Sequence, residues 1–161
     1  MARPDPNLGL TPSILDRLTD PESAGTAWRP GYGVDEMIEA VHRDLEELLN
    51  TRQSNVGFPA EFTEVHRSIM GYGLPDLTSL NAITAGQRQQ IGRLIEESVS
   101  LFEPRLKDVR AVLVDSKDKQ ERNLRFRIEA RLCLDPAPDL VFDTILKMST
   151  GRYSVSAAKR E

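Results

Sequence analysis

Residues 124–134 read LRFRIEARLCL, and this stretch decides the fold. Leu124, Phe126, Ile128, Ala130, Leu132 and Leu134 alternate with Arg125, Arg127, Glu129, Arg131 and Cys133. A side-chain period of two belongs to a strand with one buried and one wet face. Upstream, Arg110 to Val114 is short and rich in Val and Leu, and the polar turn DSKDKQER lies between the two segments, so they read as a hairpin. Downstream, Pro136 and Pro138 break the chain, and Leu140 to Lys147 and Arg152 to Val155 then flank MSTG as a second hairpin.

The first two thirds of the chain carry the other period. From Val34 to Arg52 the apolar residues Val34, Met37, Ile38, Val41, Leu45, Leu48 and Leu49 recur at helical spacing, with Glu39, Arg43, Glu46 and Glu47 opposite. Asp35 and Glu36 in the first turn and Arg52 at the end suit the helix dipole. Pro59 opens a shorter helix with Phe62, Val65, Ile69 and Met70 inward, and Gly71 and Gly73 stop it. The stretch GYGLPDLTSLN carries Leu74, Leu77 and Leu80 among turn formers and reads as an ordered loop over the core. Thr84 with Gln87 forms a capping box for a second long helix through Ile91, Leu94, Ile95, Val99 and Phe102, which Pro104 ends.

These periods predict an α+β fold: two long amphipathic helices plus shorter helices, packed on an antiparallel sheet of about four strands from two C-terminal hairpins. The helices are expected at 34–52, 60–70 and 84–102 and the sheet at 109–156, within a single domain 34–161. Residues 1–33 hold five of the ten prolines and read as an arm with a short helix at 13–18, SILDRL, bearing Ile14, Leu15 and Leu18 on one face. Trp28 and Tyr32 are expected to pin that arm.

Composition narrows the function. The chain of 161 residues is 39% hydrophobic and 29% charged, enough for one cored domain. Its net charge of 21 − 25 = −4 disfavours nucleic acid as a partner. The arginines 122, 125, 127 and 131 form a strip, but Glu121 and Glu129 interrupt it and no aromatic run interleaves, so it reads as a solvated strand face. No apolar run approaches the roughly 20 residues that span a bilayer, and the first residues lack a signal-like stretch, so the expectation is a cytoplasmic protein without direct membrane insertion.

Reactive side chains are sparse. Cys133 is the single thiol and falls in outward register on its strand, which excludes an internal disulfide and a multi-cysteine zinc site. His42 sits at the edge of its helix's apolar arc and His66 near Glu61 and Glu64; both read as boundary residues. Glu39 and His42 have the spacing of a di-iron helix, but no second such pair exists. Gly71-Tyr72-Gly73 lacks the third glycine of a dinucleotide fingerprint, and no GK[ST] occurs. No catalytic residue, metal site or cofactor is expected.

One constellation stands out, Phe102-Glu103-Pro104-Arg105-Leu106. A glutamate at a helix C-terminus opposes the macrodipole, a local cost that hints at a task. Two readings stay open on residue chemistry alone: an internal pair of Glu103 with Arg105 or a neighbouring arginine, or a contact with another molecule.

In chain order, SILDRL at 13–18, VHRDLEELLNTR at 41–52, YGLPDLTSLN at 72–81, FEPRL at 102–106 and FDTILKMSTGRYSV at 142–155 resemble the TssE family, the small baseplate component of bacterial type VI secretion, itself similar to wedge proteins of contractile-phage baseplates once labelled lysozyme-like. The resemblance implies a non-enzymatic structural subunit, joined to TssF, TssG and TssK at a baseplate docked on the inner-membrane complex. It implies a place beneath the contractile sheath of TssB and TssC, where this protein helps start sheath polymerisation. Glu103, Pro104 and Arg105 match the family's Glu-Pro-Arg motif, which implies that they hold the wedge core. The edge of the last hairpin, Arg152, Tyr153, Ser154 and Val155, is the expected sheath contact, because an uncovered strand can accept another subunit's strand. The competing expectation is a small peptidoglycan-acting hydrolase, in which acids such as Glu61 and Asp76 meet in a cleft.

Overall fold

A computed structural model describes residues 10, 12–19, 33–54, 57–75, 84–114 and 123–158. The chain falls into two compact units, residues 1–43 and 44–161, divided within a helix. In the first unit, helix α1 (Ile14–Thr19) is capped by Ser13, whose hydroxyl oxygen accepts from the Asp16 N–H at 3.1 Å while the Asp16 carboxylate accepts from the Ser13 N–H at 3.3 Å. Asp16 also meets Arg43 at 2.7 Å, which ties this short helix to the first part of helix α2 (Val34–Asn50). As the spacing predicts, Ile14, Leu15 and Leu18 share a face, and all three are exposed. The expectations for Trp28 and Tyr32 lie outside the described residues.

Helix α2 buries Met37, Val41, Leu45, Leu48 and Leu49 on one stripe, and Glu36 accepts from the Gly33 N–H to close its first turn. It ends at Asn50, two residues short of Arg52. Two side chains turn back onto the last carbonyls there: Asn50 Nδ2 donates to the Glu46 carbonyl at 2.8 Å and Thr51 Oγ1 to that of Glu47 at 2.8 Å. The backbone then leaves the helix to pair Arg52 with Leu74 in a parallel bridge.

The helix expected over 60–70 is instead a four-residue turn, α3 (Thr63–His66), and a separate 3-10 turn at Ile69–Gly71. Ser68 divides them. Its hydroxyl donates to the Val65 carbonyl at 2.7 Å and its oxygen accepts from the Met70 N–H at 3.2 Å, while its own backbone is extended. Phe62, Ile69 and Met70 are therefore 54%, 86% and 40% exposed instead of inward, and Val65 is half-buried. Gly73, at φ 102°, sits where a Cβ would lie 2.4 Å from the Thr51 carbonyl oxygen, so only glycine lets this loop close on the end of α2.

Helix α4 (Ala85–Phe102) begins with the capping box the sequence predicts, Thr84 and Gln87 bonding reciprocally, and buries Ile91, Ile95 and Val99. It packs on strand β1 (Leu106–Val114), and the bare Gly92 Cα allows close approach, since a Cβ there would lie 3.3 Å from the Ala111 carbonyl oxygen. Strands β2 (Leu124–Leu132), β3 (Asp139–Lys147) and β4 (Arg152–Ala158) complete an antiparallel sheet in the order β1-β2-β3-β4. The alternation in β2 is complete: Leu124, Phe126, Ile128, Ala130 and Leu132 are buried while Arg125, Arg127, Glu129 and Arg131 face solvent. Strand β1 starts four residues before Arg110, because Asp108 at φ 55° forms a bulge that turns both Lys107 and Asp108 outward. A period-two reading stops at such an irregularity. The fold is α+β, with two long helices and a four-stranded antiparallel sheet.

Candidate functional site

Three of the quoted sequence segments converge in residues 44–161. Pro104 turns the chain directly after α4, so the Leu106 N–H bonds the Glu103 carbonyl at 3.1 Å and the Glu103 side chain folds back beneath Arg105. Arg105 Nε donates to Glu103 Oε1 at 2.6 Å and its NH2 to Oε2 at 2.5 Å, a bidentate fork. The same NH2 reaches Asp44 of α2 at 2.7 Å. Tyr72, from the YGLPDL loop, packs edge-on against Phe102 with ring centroids 5.3 Å apart. Burial raises the Tyr72 pKa, and the charges of Glu47, Asp44 and Glu103 add to that shift. Burial by itself would lower the Arg105 pKa; hydrogen bonds and charge from Glu103, then Asp44, outweigh it and hold the guanidinium above its ordinary value.

Glu103 is 4% exposed, so it does not project from the turn as a free charge; Pro104 is exposed and Arg105 half-buried. The sequence brought Glu103 and Arg105 forward but missed Asp44. Its signal was slight: an acid at the margin of the α2 apolar stripe, beside Leu45 and three residues after Val41.

Strand β4 lies at one end of the sheet, with Arg152 and Ser154 exposed and Tyr153 and Val155 buried. Both backbone polar groups of Tyr153 are taken by one side chain: Asn50 Oδ1 accepts from the Tyr153 N–H at 3.0 Å and Asn50 Nδ2 donates to the Tyr153 carbonyl at 2.9 Å. The other end of the sheet has a related contact, with Glu96 of α4 accepting from the Ala111 N–H at 2.8 Å. A pocket beside β4 is lined by Leu49, Leu74, Leu146, Met148 and Tyr153, with the exposed Arg52 also on its wall. The Tyr153 phenol oxygen is buried without a hydrogen-bond partner among the described residues, and burial raises its pKa.

The remaining candidates stay apart from one another. Cys133 is exposed, as its register predicts. His66 is half-buried, its Nε2 3.2 Å from the Pro59 carbonyl, and His42 is half-buried on α2. Glu61 is exposed in a turn, and Asp76 lies outside the described residues. Arg127 pairs with Asp143 at 3.0 Å and Arg131 with Asp108, so acids interleave the arginine face of β2. Among the described residues no group of three metal-ligating side chains occurs, and no helix is long and apolar enough to cross a membrane.

The geometry is that of a small α+β domain with a carboxylate–guanidinium clamp at the end of α4. A family model described as baseplate wedge protein gp25 matches residues 35–137, more than half of the 161-residue chain. The chain belongs to the baseplate wedge protein gp25 family. No curated protein and no solved structure matches. The matched stretch contains Asp44, Tyr72, Glu103 and Arg105 and ends before the β3–β4 hairpin. Membership carries a structural part in a baseplate and contacts with other baseplate components.

Proposed function

We propose that the chain is a non-enzymatic structural subunit of a type VI secretion baseplate wedge, similar to TssE, which joins the wedge core to the first layer of the contractile sheath and helps start sheath polymerisation. The observation that carries this reading is the family match across Asp44, Tyr72 and the Glu103–Arg105 clamp. In this reading the clamp is a rigid platform. Glu103 and Asp44 lock the Arg105 fork, and the exposed Pro104 and the accessible side of Arg105 meet TssF, TssG or TssK. Strand β4, at the end of the sheet, accepts an extended segment from sheath protein TssB or TssC by strand addition. The protein works in the cytoplasm, at a baseplate docked on the inner-membrane complex. The competing cell-wall hydrolase finds no support in the position of Glu61, which is exposed in a turn.

The test is co-expression of the tagged chain with TssF, TssG and TssK, followed by co-purification and by assembly of TssB and TssC. A stable wedge that seeds sheath supports the reading; a chain that purifies alone and clears a cell-wall suspension refutes it.

A further inference from the structure

Two opposed cations close the last hairpin. Lys147 ends β3 and Arg152 begins β4, and they are direct partners in the register across the turn 148–151. In the next row Leu146 and Tyr153 are partners and both are buried, so by alternation Lys147 and Arg152 stand on the outward face of the sheet, where both are exposed. Like charges directly opposite one another on a sheet face destabilise the pair. Neither cation is in an ion pair among the described residues.

The same opposition occurs at the far end of this face and is resolved there. Lys107 of β1 stands opposite Arg131 of β2, but the bulge turns Asp108 outward beside them and its carboxylate takes the Arg131 guanidinium. Arg127 is matched in the same way by Asp143, directly opposite it on β3. At the hairpin end the neighbouring outward residues are Ile145, which is half-buried, and Ser154, its partner in the register, so neither strand supplies Lys147 and Arg152 with an acid. The repulsion is left standing in a chain whose net charge is −4. A carboxylate from another molecule placed between the two cations is attracted by both and screens each from the other.

We propose that Lys147 and Arg152 form the docking point for an acidic segment of a baseplate or sheath neighbour, whose carboxylates lie between the two cations and whose apolar side chain covers Ile145. The inference rests on the assembly reading above and deepens it by naming the face used and the charge of the partner. The contact is made by side chains and needs no backbone pairing along β4. It lies beyond the stretch 35–137 that the family model matches, so family membership does not assign it.

The experiment uses the full tagged chain and its Lys147→Glu, Arg152→Glu, Lys147→Arg and Lys107→Glu variants, with TssF and TssG, and separately TssB and TssC, as the partners offered. Each glutamate at 147 or 152 faces the remaining cation, so Tm rises by about 1 to 5 °C while retention of the partner falls by about tenfold or more. Lys147→Arg keeps the retention of the parent. Lys107→Glu makes the same change in net charge at the far end of the face and also keeps it. Raising the salt from about 0.1 M to about 0.5 M weakens retention by the parent, as an exposed charged contact requires. A lower Tm in both the 147 and 152 glutamate variants overturns the standing repulsion; a loss in Lys107→Glu equal to theirs, or retention indifferent to salt, overturns the local charge contact. A parent that dimerises and becomes monomeric in Lys147→Glu makes the acidic partner a second copy and overturns the assignment to a neighbouring subunit. If the parent retains its partners and both glutamate variants retain them equally, this inference falls alone; if the parent retains none, the assembly reading falls with it.

Discussion

Replacing Arg105 with Met removes three charge-assisted hydrogen bonds at once, two to Glu103 at 2.6 and 2.5 Å and one to Asp44 at 2.7 Å. The Glu103 side chain is 6% exposed, so it is left as a buried carboxylate with the backbone N–H of residue 105, at 3.2 Å, as its remaining bond. Breaking a buried pair from one side costs about 3 to 5 kcal/mol, because the stranded charge keeps its desolvation penalty and loses its attraction. For a domain of this size that lowers Tm by about 6 to 20 °C, at roughly 2 to 4 °C per kcal/mol. The loss is a large part of the roughly 5 to 15 kcal/mol that holds a typical domain together. Changing both residues, Glu103→Leu with Arg105→Met, removes the buried charge as well and should regain most of the stability. A charge swap is a poorer test, since a glutamate at 105 would face Asp44. The assay is thermal and urea unfolding of the parent, both single variants and the double, read as a double-mutant cycle. If Arg105→Met costs under about 1 kcal/mol, or the double is no better than that single, the clamp is not the desolvated unit described. The recovered double variant then serves a second measurement: folded but without the fork, it should no longer retain TssF and TssG.

Asp16→Asn should loosen α1, seen as faster amide exchange over residues 14–19 near neutral pH. Arg43 and Ser13 hold the Asp16 pKa below 3.8 despite burial, so its contribution is present above the unfolded pKa and is lost as pH falls through the lower folded value; the Asn variant should lack this acid dependence. Tyr153→Phe removes a buried hydroxyl that has no partner among the described residues and should raise stability by about 1 kcal/mol or more, read as a higher urea midpoint. Because the folded Tyr153 pKa is raised above 10.0, stability should fall as pH climbs from there toward that folded value, and the Phe variant should not share this alkaline loss. Gly73→Ala places a Cβ against the Thr51 carbonyl at a positive φ and should cost about 1 to 3 kcal/mol, with a lower Tm as the readout and an unchanged Tm as the refutation.

The elements with an uninterrupted local signal were legible in the chain itself. The stripe of α2, the Thr84–Gln87 box of α4 and the alternation of β2 each need only residues a few positions apart, since 3.6 and 2 are periods of the backbone. The α+β class and the place of Glu103 and Arg105 at a helix end followed from that. Where a local competitor was available the periodic reading went astray: Ser68 bonded its own backbone neighbours and split the helix expected at 60–70, and the Asp108 bulge hid the start of β1. The choice of partner belonged to the tertiary structure alone. Asp44 meets Arg105 across 61 positions and Asn50 meets Tyr153 across 103, and no spacing rule links them. They are joined because the sheet and α4 place the end of the FEPRL turn and the edge of β4 within reach of α2, and buried or edge-facing polar groups take whatever partner packing brings to them.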